Sequence, residues 1–185
     1  MRALIDACVL YPTVLREIVA GAAAAGLFTP LWSPRILAEW QHAAARLGPA
    51  QAAIAEGEAV ALAARFPDAC LKESAVARAA DAYDCTLPDA GDAHVLAAAL
   101  AGRADLILTL NLRDFPRAAL ARHGLRAEHP DAFLLALWRT SPEIVADIVE
   151  TVRARAERIA GTPQPLRPLL KRARLPRLGK ALSPG

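Results

Sequence analysis

Two short apolar runs that end at acid-bearing turns restrict this chain more than any other feature. Ala3-Leu4-Ile5 runs into Asp6, and Leu106-Ile107-Leu108 runs into Thr109, Asn111 and Asp114. Runs of this length suit buried strands and are far too short to span a bilayer. Just before the second run, Asp89 and Asp92 stand at the mouth of an alanine-rich apolar helix that Gly102 closes. Helix, strand and polar turn in that order is the repeating unit of an open α/β sheet. In such sheets ligands gather beyond the carboxyl ends of the strands. Asp6, Asn111 and Asp114 are therefore placed where a site belongs.

The remaining punctuation extends the alternation. Val14, Leu15, Ile18 and Val19 recur at helical steps over residues 13–25, and Gly26 stops that helix. Residues 7–12 read as a turn, and residues 28–32 as a second short strand that Pro30 weakens. Ser33-Pro34 is a cap followed by a proline, which starts a helix over 34–46 with Ile36, Leu37 and Trp40 on one side and Glu39 presented. Gly48-Pro49 breaks the chain before helices over 50–65 and 73–82. A short helix over 116–122 and a last strand over 125–128 follow the run at 105–109. Alternation of this kind predicts an α/β fold with a mainly parallel central sheet.

After His129-Pro130 the pattern is purely helical: residues 131–138, then a long amphipathic helix over 144–159 behind Ser141-Pro142-Glu143. From Gly161 the composition shifts again, with Pro163, Pro165, Pro168, Pro176 and Pro184 interrupting a basic segment. The expectation is three parts: a domain over 1–130, a helical extension over 131–160, and a flexible proline-rich tail over 161–185.

Composition narrows the function. At 185 residues and 55% apolar content the chain can bury a sizeable core, and its alanine favours helix over strand. It shows no membrane-length apolar run and no basic-then-apolar leader, so a cytoplasmic protein without membrane partners is expected. Cys8, Cys70 and Cys85 have no paired spacing, which argues against a zinc site or a disulfide framework and for reduced thiols. His94 and His123 read as ordinary polar residues. The chain's net charge is +3, yet residues 161–185 hold six cations and no acid, which leaves −3 on residues 1–160. A basic tail on an acidic body suits a polyanionic partner.

The acids define the chemistry. Asp6, Glu39, Asp92 and Asp114 come from distant parts of the chain, and a parallel sheet can gather them at one edge. Hard divalent cations take oxygen ligands and keep several waters, and such a cation can polarise a phosphodiester and orient a water against it. Each acid also has a plainer reading. Asp89 and Asp92 can act as helix caps or dipole partners, and Glu39 alone reads as a solvated helix face. Asp6 is the hardest to explain away, because a carboxylate that ends a buried strand needs a partner.

Leu4-Ile5-Asp6, the helix start Trp32-Ser33-Pro34-Arg35-Ile36-Leu37-Ala38-Glu39, Pro88-Asp89-Ala90-Gly91-Asp92-Ala93-His94-Val95-Leu96-Ala97-Ala98-Ala99, and Leu108-Thr109-Leu110-Asn111-Leu112-Arg113-Asp114-Phe115-Pro116 together resemble the PIN-domain family over roughly residues 1–130. They are most similar to its VapC-like branch, the toxin components of toxin–antitoxin systems. The resemblance implies a three-layer α/β/α fold and a Mg²⁺- or Mn²⁺-dependent endoribonuclease that prefers single strands. It implies catalytic roles for Asp6, Glu39, Asp92 and Asp114, with Asp6, Asp92 and Asp114 as metal ligands and Asp89, Asn111 and Thr109 in support. Many PIN domains carry an aspartate where this chain has Asn111, so the fourth charge is expected from Asp114. The resemblance further implies an RNA substrate, a cognate antitoxin and a homodimer. Arg113, Lys171, Arg172 and Arg174 are the candidate RNA contacts. Two other readings stand beside it. One is a non-catalytic RNA-binding PIN protein. The other is a different Mg²⁺-dependent phosphoryl-transfer enzyme, which the lack of a second aspartate two residues after Asp6 and of a glycine-rich phosphate loop disfavours.

Overall fold

A computed structural model describes residues 1–183. The chain divides into two compact units. The first comprises residues 1–11 and 28–128, and the second residues 12–27 with the chain from 129 onward.

The first unit is built on four parallel strands, β1 (Arg2–Ile5), β2 (Thr29–Leu31), β3 (Leu106–Leu108) and β4 (Arg126–Glu128), in the order β2-β1-β3-β4. Ala3, Leu4 and Ile5, and all of β3, are buried, as continuous apolar runs inside a parallel sheet must be. Pro30 is tolerated because β2 is an edge strand, where a missing N–H costs no ladder bond on the outer side. From β1 the chain crosses to β2 on one side, while β3 lies on the other. The strand order reverses between β1 and β3, and the crevice at their carboxyl ends is the expected ligand position.

Five longer helices and one single turn belong to this unit. Residues 7–12, expected as a turn, form the single helical turn α1 (Ala7–Leu10). After β2, Ser33 accepts a hydrogen bond from the Ile36 amide at 3.2 Å and Pro34 occupies the first turn of α3 (Pro34–Ala45). Ile36, Trp40 and Ala44 bury one face of α3, which leaves Glu39 half-exposed. α4 (Pro49–Arg65) packs on α3, and α5 (Glu73–Ala82) packs on α6 (Ala93–Ala101). A 3₁₀ turn at Ala90–Asp92 leads into α6, and a second at Leu112–Asp114 follows β3 before α7 (Arg117–Ala121).

The second unit is helical: α2 (Thr13–Ala24), α8 (Pro130–Thr140), α9 (Pro142–Ala160), α10 (Leu166–Arg172) and α11 (Pro176–Leu182). α2 and α9 approach closely at Gly21, where an added Cβ would lie 2.6 Å from the Ile148 Cγ2 methyl. The last two helices correct the expectation of a flexible tail over 161–185 for the described residues; residues 184 and 185, the last of that span, lie outside them. Pro165 stands just before α10 and Pro176 opens α11, positions where a missing N–H breaks no helical bond. Leu169, Leu170, Leu175 and Leu178 are buried at helical spacing. Each such side chain contributes on the order of 1.5–3 kcal/mol when removed from water, so the prolines delimit helices here. The three-part partition by sequence position also gives way: α2 groups with the C-terminal helices, because it packs on α9.

Candidate metal centre

Strand register brings the first acid to its partners. Ile5 pairs with Leu108, and the Asp6 amide continues the ladder by donating to the Leu108 carbonyl at 3.1 Å. Asp6 and Thr109, the residues just past each strand, thus emerge side by side. The Thr109 hydroxyl donates to Asp6 Oδ2 at 2.7 Å and in turn accepts from the Asn111 amide at 3.0 Å. The Cys8 thiol donates to the same Oδ2 at 3.0 Å, and the Leu110 amide donates to Cys8 Sγ at 3.2 Å. Asp6 is buried and Thr109 is fully so. Two donors on Oδ2 fix the carboxylate and leave Oδ1 without either of them. Burial and the neighbouring Asp6 push the Cys8 thiol up to about 12, so it stays a protonated donor at neutral pH and is a poor nucleophile.

Asp92 reports on the rest of the cluster. Its carboxyl is pushed up to about 6, first by burial and then by the charges of Asp6, Asp114, Asp89 and Glu39. Five carboxylates therefore share one electrostatic neighbourhood, and ionised Asp92 is disfavoured there without a cation. Asp89 has a local role as well, since its Oδ1 accepts from the Gly91 amide at 2.8 Å and caps the turn leading to Asp92. The capping reading of Asp89 is what the hydrogen bond shows. Asp114 is half-exposed in the 3₁₀ turn after β3, with Asn111 just before that turn and Arg113 exposed within it.

Glu39 is held from two sides. Arg35, one helical turn earlier, donates its Nε to Glu39 Oε1 at 3.2 Å, and His94 Nε2 lies 2.9 Å from the same oxygen. The His94 side chain is 10% exposed and its Nδ1 is buried without a hydrogen-bond partner among the described residues. Burial pushes the imidazole down, against the opposing pull of Glu39. The neutral ring with its proton on Nε2 suits both facts, because it donates to Glu39 and asks least of Nδ1. Sequence reasoning passed over Arg35, His94 and Cys8. The i,i+4 spacing of Arg35 and Glu39 was visible, and Cys8 and His94 each stand two residues beyond an acid of the cluster, but the His94–Glu39 contact joins separate helices and has no local signal.

All the gathered donors are carboxylate oxygens, the donor type of Mg²⁺, Mn²⁺ and Ca²⁺. Among the described residues no three ligand-type side chains close tightly enough to enclose an ion by themselves. An open set of acids fits Mg²⁺, which commonly keeps several waters and few direct carboxylates. Lys171, Arg172 and Arg174 are exposed on the second unit, in and just after α10.

Comparison with known proteins bears on the family. The PIN domain profile matches residues 2–113, and the VapC50 C-terminal domain profile matches residues 130–184. Over 44 residues the chain is 54% identical to the "Putative ribonuclease VapC50" of Mycobacterium tuberculosis (strain ATCC 25618 / H37Rv), a stretch that is 24% of this chain and 26% of that protein. The matched stretch thus spans about a quarter of that relative. No solved structure matches. With the PIN domain profile over more than half its length and the VapC50 C-terminal domain profile over residues 130–184, the chain belongs to the PIN-domain family, in its VapC-like branch, with the three-layer α/β/α fold of that family.

Proposed function

We propose that the chain is a Mg²⁺- or Mn²⁺-dependent endoribonuclease that cleaves single-stranded RNA, the toxin of a toxin–antitoxin pair. The observation that carries this reading is the strand register that brings Asp6 out at the switch point of the sheet beside Thr109, among acids whose charges, with burial, lift the Asp92 carboxyl to about 6. A fold that gathers mutually repelling carboxylates at the switch point of its sheet is less stable for it, and a cation removes that cost. The name of the similar mycobacterial protein, a ribonuclease, supports the substrate class.

In this reading Asp6, Asp92 and Asp114 would hold the metal, which would supply charge neutralisation at the scissile phosphate and activation of a water. Thr109 and Cys8 keep Asp6 in one rotamer. Glu39, steadied by His94 and Arg35, orients water, and its contact with Arg35 leaves that cation beside the substrate phosphate. Asn111 supplies a neutral oxygen where Asp114 supplies the charge. Arg113, Lys171, Arg172 and Arg174 attract the RNA backbone. A cognate antitoxin restrains the enzyme, which acts as a homodimer in the cytoplasm.

The test is cleavage of a long single-stranded RNA by Asp6→Asn and Asp92→Asn. Losing one charged ligand removes transition-state stabilisation of roughly 3 kcal/mol or more, a fall of about a hundredfold or greater. Circular dichroism should show an intact fold in both. Cleavage at the wild-type rate in both variants would rule out the metal-centre reading.

A further inference from the structure

Beside the acid cluster lies a cavity of about 630 Å³, walled in part by Arg35, His94, Tyr83 and Thr86. It adjoins the cluster through three separate stretches of chain. Arg35 and His94 both contact Glu39. The segment that forms another wall, from Tyr83 to Leu87, runs directly on into Asp89 and Asp92. A second cavity of about 540 Å³ shares the Tyr83 wall and is lined by Arg103, Arg122 and His123. The Tyr83 side chain is 51% exposed at this shared wall.

The shared wall is braced. The Tyr83 ring meets His123 edge-on, with centroids 6.0 Å apart, and His123 Nε2 lies 2.9 Å from the Asp84 carbonyl. Arg122 pairs with Asp84 at 3.1 Å. Asp84 lines the first cavity together with Arg35, and Arg103 and Arg122 line the second, which has no acid among its described lining residues. A second cavity walled by two arginines, with Arg35 in the first and an exposed aromatic platform between them, matches the chemistry of a single nucleic-acid strand, whose phosphates follow the cations while a base stacks on the ring.

We infer that these two cavities, joined at Tyr83, form the path of single-stranded RNA leading away from the acid cluster, with Tyr83 as the stacking platform. The inference rests on the ribonuclease reading above and adds the direction in which the substrate leaves the site. A phosphodiester at the acids places its neighbouring nucleotide in the Arg35–His94 cavity. The next base lies on Tyr83, and the following phosphates reach Arg103 and Arg122. Exposed Arg35 is shared between Glu39 and the strand, so it marks the start of the path.

Binding can be read apart from cleavage. Fluorescence anisotropy would follow a labelled twelve-nucleotide single strand on the intact chain in EDTA, at several salt concentrations, with cleavage in magnesium assayed in parallel. Tyr83→Ala should weaken binding roughly tenfold or more, while Tyr83→Phe, which keeps the ring, should stay within about twofold of wild type. The double variant Arg103→Ala/Arg122→Ala should flatten the dependence of log Kd on log salt by about 1.4, or about 0.7 for each lost phosphate contact. Thermal melts of all variants would expose any that merely unfold. If wild type cleaves RNA while the alanine variants bind with unchanged Kd and unchanged slope, the path is overturned and the ribonuclease reading stands. If Tyr83→Phe is as impaired as Tyr83→Ala, stacking is overturned. If the variants weaken binding as stated but wild type never cleaves, the path stands and the nuclease reading falls. A wild type that binds no single strand at all overturns the path.

Discussion

Asp92 couples the chemistry of the cluster to the stability of the fold. Its carboxyl is raised from the ordinary 3.8 to about 6, so the folded protein binds that proton more tightly than the unfolded chain does. The stability this contributes is fully present below the ordinary value and is lost as pH rises through about 6. Without metal, wild-type melting temperature should therefore carry a downward component across that window. Asp92→Asn, which cannot ionise, should lack it. The variant should match wild type in acid and melt higher at neutral pH, by a few degrees for roughly 1 kcal/mol in a chain of this size. Saturating Mg²⁺ should raise the wild-type melting temperature at pH 7 and do so much less at pH 5, where the metal must displace a proton. Thermal melts from pH 4 to 8, with and without Mg²⁺, test both points. A difference between variant and wild type that does not change with pH would mean that the cluster is not electrostatically coupled.

At the level of elements, the sequence announces most of what positions the site. Strands β1 and β3 are legible as apolar runs, the α3 start as Ser33-Pro34, and the α6 stop as Gly102, because each is a local signal with a local cause. Asp6, Asp92 and Asp114 are legible for a related reason: Asp6 sits just beyond β1, Asp92 opens α6 and Asp114 lies in the turn after β3, at the end of the sheet where ligands gather. Glu39 lies a turn further into α3, and only the family resemblance singles it out. What escapes is long-range pairing, such as the His94 contact with Glu39 and the Tyr83 wall beside it. A proline-rich basic segment reads as unstructured when its leucines have no visible partner, and α8, on which α11 packs, lies far away in sequence. Asp131 is the clearest case. It is buried at 4% exposure in the first turn of α8, and its two oxygens accept from the Arg177 and Leu178 amides, each at 3.0 Å, across 46 and 47 residues. It caps α11 from another helix. Asp131→Ala should leave two amides without this acceptor and destabilise the second unit by about 1–3 kcal/mol, measured by urea denaturation. Hydrogen exchange should localise the loss to the amides of α11. Uniform exchange elsewhere with protected α11 amides would show that the cap carries no stability.

Charge is divided along the whole molecule, and the division bears on how RNA would be captured. Residues 161–185 hold six cations and no acid, while the remainder is net negative. Because α10 and α11 bury Leu169, Leu170, Leu175 and Leu178, deleting the segment would remove core as well as charge and could not separate the two. Point substitution does. Lys171, Arg172 and Arg174 are exposed; Arg172 bonds only to the Gln164 amide oxygen at 2.7 Å among the described partners, and Arg174 has a φ of +64°. Lys171→Gln, Arg172→Gln and Arg174→Gly together remove three charges, and glycine suits the left-handed conformation at 174. If these cations contact phosphates, RNA affinity should fall and the log–log salt slope should drop by about 2, at 0.7 per contact. The rate at saturating RNA should hold, because the acids and their hydrogen bonds are untouched. If they only raise the local concentration of RNA at long range, affinity should fall at low ionic strength and converge with wild type near physiological salt, where the Debye length is about 8 Å. Titrations of wild type and triple variant from low to physiological salt, with single-turnover cleavage beside them, decide between contact and steering. An unchanged affinity at every salt concentration would remove these three residues from RNA capture altogether.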